Sequence, residues 1–242
     1  KCIESCDIRL YKFLCPTHLE LNDMIARTVC HNGNLELAIW LMENGCEISE
    51  FAVFEAAKSG HLEMMKLLMS NGKTPFIWIL ELSGRYAAQY GHLELVKWLT
   101  FNGLERCPLN ELLVAHAALG GNLEIVQWLV HNGCPWDGIT ITYAAQGGHK
   151  HIIEWARSQG CPWDAWTVVF IIDYNRFDML KYVLDGGCPW HKDGVTRAIH
   201  HRNLEIAKWA IENGYPYDLD YLKKYYMTND SPPEIVAYLS SL

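Results

Sequence analysis

No stretch of this sequence reaches the ~18–20 consecutive apolar residues that a membrane-spanning helix needs. It also lacks a phosphate loop ending in Gly-Lys-Ser/Thr, a Gly-x-Ser-x-Gly elbow and a His-Glu-x-x-His pair, so the common hydrolase and nucleotide-binding signatures are absent. A basic surplus is missing too: 20 Lys+Arg stand against 28 Asp+Glu, a net charge of −8. Gripping a phosphate backbone needs a basic footprint, which argues against a nucleic-acid partner. No Cys-x-x-Cys occurs among the nine Cys. Cys2, Cys6, Cys15 and Cys30 crowd the start beside His31, without the close ligand pair that structural zinc uses. Disulfide frameworks belong to small secreted chains, so scattered, reduced thiols inside a cell are expected, with no metal and no cofactor. The chain opens Lys1-Cys2-Ile3 with no initiator Met, so a piece of a longer protein is expected and the missing signal peptide carries no weight. Disorder is excluded, because 50% of the 242 residues are hydrophobic and only 20% are charged.

What the sequence does have is ten Trp, and their spacing is regular. Trp40, Trp98, Trp128, Trp155 and Trp209 each lie five residues before a Gly, and Leu67 and Tyr182 fill the same place elsewhere. Those Gly are Gly45, Gly72, Gly103, Gly133, Gly160, Gly187 and Gly214, with successive differences of 27, 31, 30, 27, 27 and 27. Twelve residues before each sits a second anchor: Gly33-Asn34, Gly60-His61, Gly91-His92, Gly121-Asn122 and Gly148-His149, drifting to Asn175-Arg176 and Arg202-Asn203. Eleven residues before that anchor come Asn22, Ser49, Asn110, Asp137 and Asp164, side chains suited to capping a helix start. Each unit therefore reads as cap, helix A, Gly turn, helix B, Gly stop. In Asn122 through His131 the polar positions Glu124, Gln127 and His131 form one stripe, so helix B is expected to be buried on both flanks. The Trp series is then expected in the core between units, where truncation to Ala costs roughly 3–5 kcal/mol.

Helix A carries small pairs before the turn: Ala56-Ala57, Ala87-Ala88, Ala117-Ala118 and Ala144-Ala145. The run Ala-Ala-x-x-Gly-His-Leu-Glu followed by Val-x-Trp-Leu-x-x-Asn-Gly (Ala87 to Gly103) resembles the ankyrin repeat, over nearly the whole chain. Ankyrin units run about 33 residues, so the present units are six shorter, and the usual Thr-Pro-Leu-His opening is missing. In its place stand Cys134-Pro135-Trp136-Asp137, Cys161-Pro162-Trp163-Asp164, Cys188-Pro189-Trp190-His191 and Tyr215-Pro216-Tyr217-Asp218. This short form resembles the ankyrin arrays of amoeba-infecting giant viruses and some protists. The resemblance implies an all-α ankyrin-repeat solenoid of about eight stacked helix hairpins, with short loops where the family's β-hairpin fingers would stand. Residues 1–242 form a single array in this reading: a half unit over 1–21, whose Asp7–Leu14 reads as a helix B, regular units over 22–217, and a capping unit over 218–242. Ser231-Pro232-Pro233-Glu234 is expected to open the last helix as a capping box, running through Leu239.

The resemblance further implies a non-enzymatic, monomeric module that holds a protein partner on its concave face through the end of helix A. Carried over position by position, the contact residues are His31-Asn32, Lys58-Ser59, Gln89-Tyr90, Leu119-Gly120, Gln146-Gly147, Asp173-Tyr174 and His200-His201. These vary between units while their flanks repeat, as a surface reading different parts of one partner would. Two long steps mark insertions. Thr74-Pro75 suggests that helix A starts early there and runs through Trp78 and Leu82; alternatively Phe76, Ile77 and Trp78 form an apolar docking bump. A viral protein acting on a host target in the host cytoplasm is one expectation, and a virion-assembly component that self-associates is the other. His61, His92 and His149 share one family position with Asn34 and Asn122, so a hydrogen bond tying the turn is expected of them. Cys46, Cys134, Cys161 and Cys188 are expected as small buried hydrophobes. The Pro-Trp series either covers the seam between units or forms a binding ridge. His191 with His200-His201 is a remaining metal or pH-sensing candidate.

Overall fold

The helix starts are set by short acceptors. Asn110 Oδ1 accepts from the Leu113 N–H at 3.1 Å, Asp137 Oδ1 from the Ile139 N–H at 2.9 Å, and Asp164 Oδ1 from the Trp166 N–H at 2.9 Å. Each of these satisfies one orphan donor of a first turn. Ser49 stands at its helix start in extended conformation without making that bond. In the computed structural model the described residues are 23–70, 77–102, 107–227 and 232–242. The half unit over 1–21, Asn22, Phe76, Thr74-Pro75, Ser231 and Cys2, Cys6 and Cys15 lie outside them.

The chain divides into two compact units, Lys1–Trp136 and Asp137–Leu242. In the first, α1 (Asp23–Asn32) and α2 (Leu35–Glu43) form a hairpin, as do α3 (Glu50–Lys58) and α4 (Leu62–Ser70). They are followed by α5 (Ile77–Gln89) with α6 (Leu93–Lys97), then α7 (Glu111–Leu119) with α8 (Leu123–His131). The second unit holds the pairs α9 (Gly138–Gly147) with α10 (Lys150–Ser158), and α11 (Trp166–Asp173) with α12 (Phe177–Asp185). Its last pairs are α13 (Gly194–His200) with α14 (Leu204–Glu212), and α15 (Leu219–Tyr226) with α16 (Pro233–Ser241). Among the described residues there is no strand, and the eight hairpins agree with the all-α ankyrin-type stack expected from the repeat. α16 starts one residue later than the capping box over Ser231–Glu234 implied: Pro232 is its N-cap without a side-chain bond, Pro233 takes its first position, and it runs past Leu239 to Ser241.

Both insertions have local explanations. α5 has 13 residues against nine in α3, and the four extra match the lengthening of that step from 27 to 31. The helix does run through Trp78 and Leu82, yet Ile77 and Trp78 remain exposed while Ile79 and Leu80 are buried. The second insertion lies beyond α6, which continues as a π-helical turn over Trp98–Asn102. Such turns absorb extra residues. The N–H of Cys46 and of Cys134 reaches a carbonyl five residues back, on Leu41 and Leu129, whereas that of Cys107 reaches Leu99, eight back, at 2.9 Å. Three residues are thus taken up between Leu99 and Cys107, and the register resumes.

Packing within each unit is layered. The paired alanines of α3, α5, α7 and α9 are fully buried, and neighbouring A helices pack against each other far more intimately than neighbouring B helices do. The wider B layer is where the Trp series corrects the expectation. Leu37 and Leu41, Ile125 and Leu129, or Ile152 and Ala156 fill the B-helix core, while Trp40, Trp98, Trp128, Trp155 and Trp209 are only half-buried. Trp128 meets the edge of Phe101 at 5.4 Å, and Trp209 that of Phe177 at 5.4 Å, each on the preceding B helix. These rings bridge the seam with one side in water, so truncating one costs less than the 3–5 kcal/mol of a fully buried aromatic.

The turn between A and B is left-handed in the first seven hairpins: among its glycines φ runs from +71° at Gly33 to +86° at Gly148. Asn175 (φ +54°) and Arg202 (φ +59°) hold the same place without glycine. A left-handed conformation costs an L side chain roughly 1–2 kcal/mol, so Arg202→Gly is expected to raise unfolding free energy by about 1 kcal/mol in urea titration. Gly60→Ala is expected to lower it by about 1–3 kcal/mol, because a Cβ there would also lie 2.4 Å from His92 Nδ1.

Candidate partner-binding face

The residues that end each A helix stand at equivalent places, in the last helical turn beside the glycine. What holds them there differs from the expectation for the His/Asn position. Asn34 caps its own helix, accepting from the Leu37 N–H at 3.0 Å. The later residues reach back instead to the preceding A helix. His61 Nε2 donates to the His31 carbonyl at 2.9 Å and His92 Nε2 to the Lys58 carbonyl at 3.0 Å, while Asn122 Nδ2 donates to both Ala88 and Gln89 carbonyls at 2.8 Å. Terminal helix carbonyls have no partner within the helix. Three repeats of the first unit therefore tie down the end of the helix before them, and that end carries the candidate contact residues, whereas Asn203 in the second unit caps its own helix, accepting from the Ile206 N–H at 3.1 Å.

In the first unit, His31 Nδ1 lies 3.0 Å from Ser59 Oγ and 3.2 Å from Glu55 Oε2. Lys58 Nζ stands 6.0 Å from the Tyr90 ring, which stacks at 6.2 Å on Tyr86. His116 Nδ1 donates to Gln89 Oε1 at 3.2 Å, and burial, helped by Arg85, pulls its pKa down, favouring the neutral ring. Tyr90 is 51% exposed and Trp78, in the insertion, 46%; Leu119 is half-buried. Gly120 serves packing, because a Cβ there would run into the Gln89 carbonyl oxygen. In the second unit Tyr174 is 54% exposed and Gln146 half-buried. Asp173 Oδ1 lies 3.1 Å from His201 Nε2 and 3.9 Å from Arg197 Nε, while His200 Nδ1 is 3.2 Å from Tyr226 Oη.

Sequence reasoning stopped at the last two residues of helix A and missed the turns before them. Trp166, Phe170 and Tyr174 succeed one another at four-residue intervals along α11, and all three are exposed. Met24 and Phe51 occupy the place of Trp166 in α1 and α3 and are exposed as well. The signal was present: Met24, Phe51 and Trp166 each lie nine residues before the turn residue, about two helical turns upstream of the chosen positions.

The histidines and cysteines have structural occupations. The His191 ring packs 4.5 Å from Trp166, away from the contacts of His200 and His201, so the three are not brought together. Among the described residues no cluster of three His, Cys, Asp or Glu is placed to hold a metal ion. Cys46, Cys134, Cys161 and Cys188 are buried, as the repeat suggested, and none is in a disulfide. The last three also donate their thiol protons to carbonyls near the start of the preceding A helix: to Asn110 at 3.4 Å, Asp137 at 3.2 Å and Asp164 at 3.6 Å.

Burial pushes these thiols up, to about 12 for Cys134 and Cys188 and about 11 for Cys161. An unfolded thiol titrates near 9.0, so above that pH the unfolded chain binds fewer protons than the folded one. Stability is therefore expected to fall as pH rises from 9 toward 12, read as a falling urea midpoint. The triple variant Cys134→Ala, Cys161→Ala, Cys188→Ala should show a shallower fall.

No helix among the described residues is long and apolar enough to cross a membrane. No curated protein matches the chain. A family model described as "Ankyrin repeats (3 copies)" matches residues 24–106 and again 84–164, together more than half of the sequence. Ankyrin repeats are generally protein–protein interaction modules, typically without catalytic activity. With the left-handed glycine turn, the paired alanines and the helix hairpins all in place, this chain belongs to the ankyrin-repeat family.

Proposed function

We propose that the chain is a non-enzymatic module that binds a protein partner on the outward face of its A helices. The observation carrying this reading is the contrast along helix A. Ala56-Ala57, Ala87-Ala88 and Ala117-Ala118 are fully buried, while the adjoining Tyr90, like Tyr174 and Trp78, turns half of a large ring to solvent. Tyr and Trp dominate interface energetics because they give much contact area for little lost freedom. The ends of α3 and α5, beside Lys58 and Tyr90, are held by hydrogen bonds from the next repeat, so little ordering is needed there on binding. Lys58, Ser59, Gln89, Leu119, Gln146, Asp173, His200 and His201 supply the polar and rim contacts around those rings.

The constant 27-residue spacing across the junction at Trp136–Asp137 supports treating residues 1–242 as one array. The Gly-Cys-Pro-Trp-Asp form of the unit supports a viral protein that engages a host protein in the host cytoplasm. A virion-assembly role with self-association is the second reading; the exposed, stacked rings of Tyr221 and Tyr225 favour it.

Tyr90→Ala and Tyr174→Ala test the assignment. Each should weaken capture of the partner about tenfold or more, the effect of losing an aromatic hot spot, while leaving the melting temperature unchanged. Affinity purification from the natural host with mass spectrometry, run beside the double variant, measures this. A partner retained equally by the double variant would sink the helix-A assignment.

A further inference from the structure

In the first unit one pair of residues recurs at the same place on every A helix. Ten and nine residues before each turn glycine stand Asp23-Met24, Glu50-Phe51, Glu81-Leu82 and Glu111-Leu112, an acid followed by a large apolar residue. Met24 and Phe51 are 64% and 49% exposed, while Leu82, Leu112 and the four acids are half-buried. An acid in a first turn commonly serves the helix dipole, but two observations show that the helix alone does not require it here. Glu81 is the fifth residue of α5, which begins one turn earlier, and the dipole effect fades within that turn. The A helices of the second unit carry Gly138-Ile139, Ala165-Trp166 and Lys192-Asp193 at the same place, so a hairpin of this kind forms without the acid. The charges of the row are only partly balanced. Arg27 pairs with Asp23 and Arg85 with Glu81, each along its own helix, whereas Glu50 and Glu111 make no ion pair among the described residues. Lys58 stands two helical turns from Glu50, at the other end of α3.

We propose that the partner crosses these four helices as an extended, positively charged segment that carries Lys or Arg beside large apolar side chains. This rests on the A-helix face being the partner-binding face, and it adds the chemistry of what the first unit holds. Charge complementarity carries the choice of occupant. Glu50 and Glu111 beside exposed apolar groups suit a cation flanked by an apolar residue; an acidic or purely apolar segment would cover those carboxylates without pairing them, which is costly. The row already shows how it accepts a cation, because the Arg27 guanidinium lies 4.4 Å over the Phe51 ring. Trp78, one turn before Leu82 on α5, offers a second exposed ring. Packed helices stand ~8–10 Å apart, so an extended segment at ~3.3 Å per residue crosses all four in about nine residues and offers each helix every third side chain.

Selection of short random peptides displayed on phage against the 1–242 chain, followed by fluorescence anisotropy of the enriched peptides, tests it. Enriched sequences are expected to join Lys or Arg to large apolar residues, and their affinity should fall as salt rises. Glu50→Gln with Glu111→Gln should weaken binding about tenfold, as should Phe51→Ala with Trp78→Ala, with helical circular dichroism retained in both. Glu124→Gln, which removes the same charge from the first turn of a B helix, should leave binding unchanged. The proposal is overturned by a selection that enriches nothing, by enriched peptides that are acidic or uncharged, or by A-helix variants that bind as tightly as the parent chain. A loss through Glu124→Gln equal to theirs overturns it as well. Capture from the host by the Tyr90→Ala, Tyr174→Ala double variant reports separately: capture lost there, with acidic or uncharged peptides here, leaves the face assigned and removes only this chemistry.

Discussion

The repeats depend on a tight left-handed turn, in which a Cβ at Gly33 or Gly60 would collide with a histidine of the next repeat. The residue between helices A and B adopts positive φ, and the side chain at the start of the next repeat's helix B lies directly on it: His61 over Gly33, His92 over Gly60, Asn122 over Gly91. The same side chains donate to the last carbonyls of the preceding A helix. One constraint therefore sets the backbone, the spacing between repeats and the position of the helix end. Where glycine gives way to Asn175 or Arg202 the turn persists, because the neighbours over-determine it.

The two layers divide the work of packing by side-chain size. Alanine pairs let A helices approach closely; the B helices stand further apart, and aromatic edges bridge the gap. The Pro-Trp series belongs to the same seam. Trp163 Nε1 donates to the Gly186 carbonyl at 2.9 Å, one repeat further on, and Trp190 stacks on Tyr215 at 4.3 Å. Aromatic rings are thus of two kinds in this protein. Those in the B layer and the Pro-Trp loops are half-covered by neighbouring repeats. Those on the A helices, Tyr90, Trp166, Phe170 and Tyr174 among them, are turned outward on a backbone that other contacts already hold. A ring that the stack does not need for its own packing is a sound marker of a surface used for something else.

Much of this was legible before any coordinates. Counting from Gly to Gly gave the unit length, the helix pairs and the caps Asn110, Asp137 and Asp164, and it placed both insertions. The buried cysteines followed from their recurrence. Burial of the Trp series was misjudged because a period says which residues are equivalent, not how far apart neighbouring helices lie. The acceptors of the thiols, 24 residues back, were invisible for the same reason.

The sequence by itself determined the period, the all-helical hairpin and the family, because caps, turn glycines and apolar spacing act within a few residues of one another. Only the tertiary structure decided which side of each helix meets a neighbour and which meets water. Those outcomes depend on distances between repeats, set by side chains about one repeat apart: alanine against alanine in one layer, tryptophan against phenylalanine in the other. The exposed column on α11 and the exposed tyrosines of α15 come from that comparison.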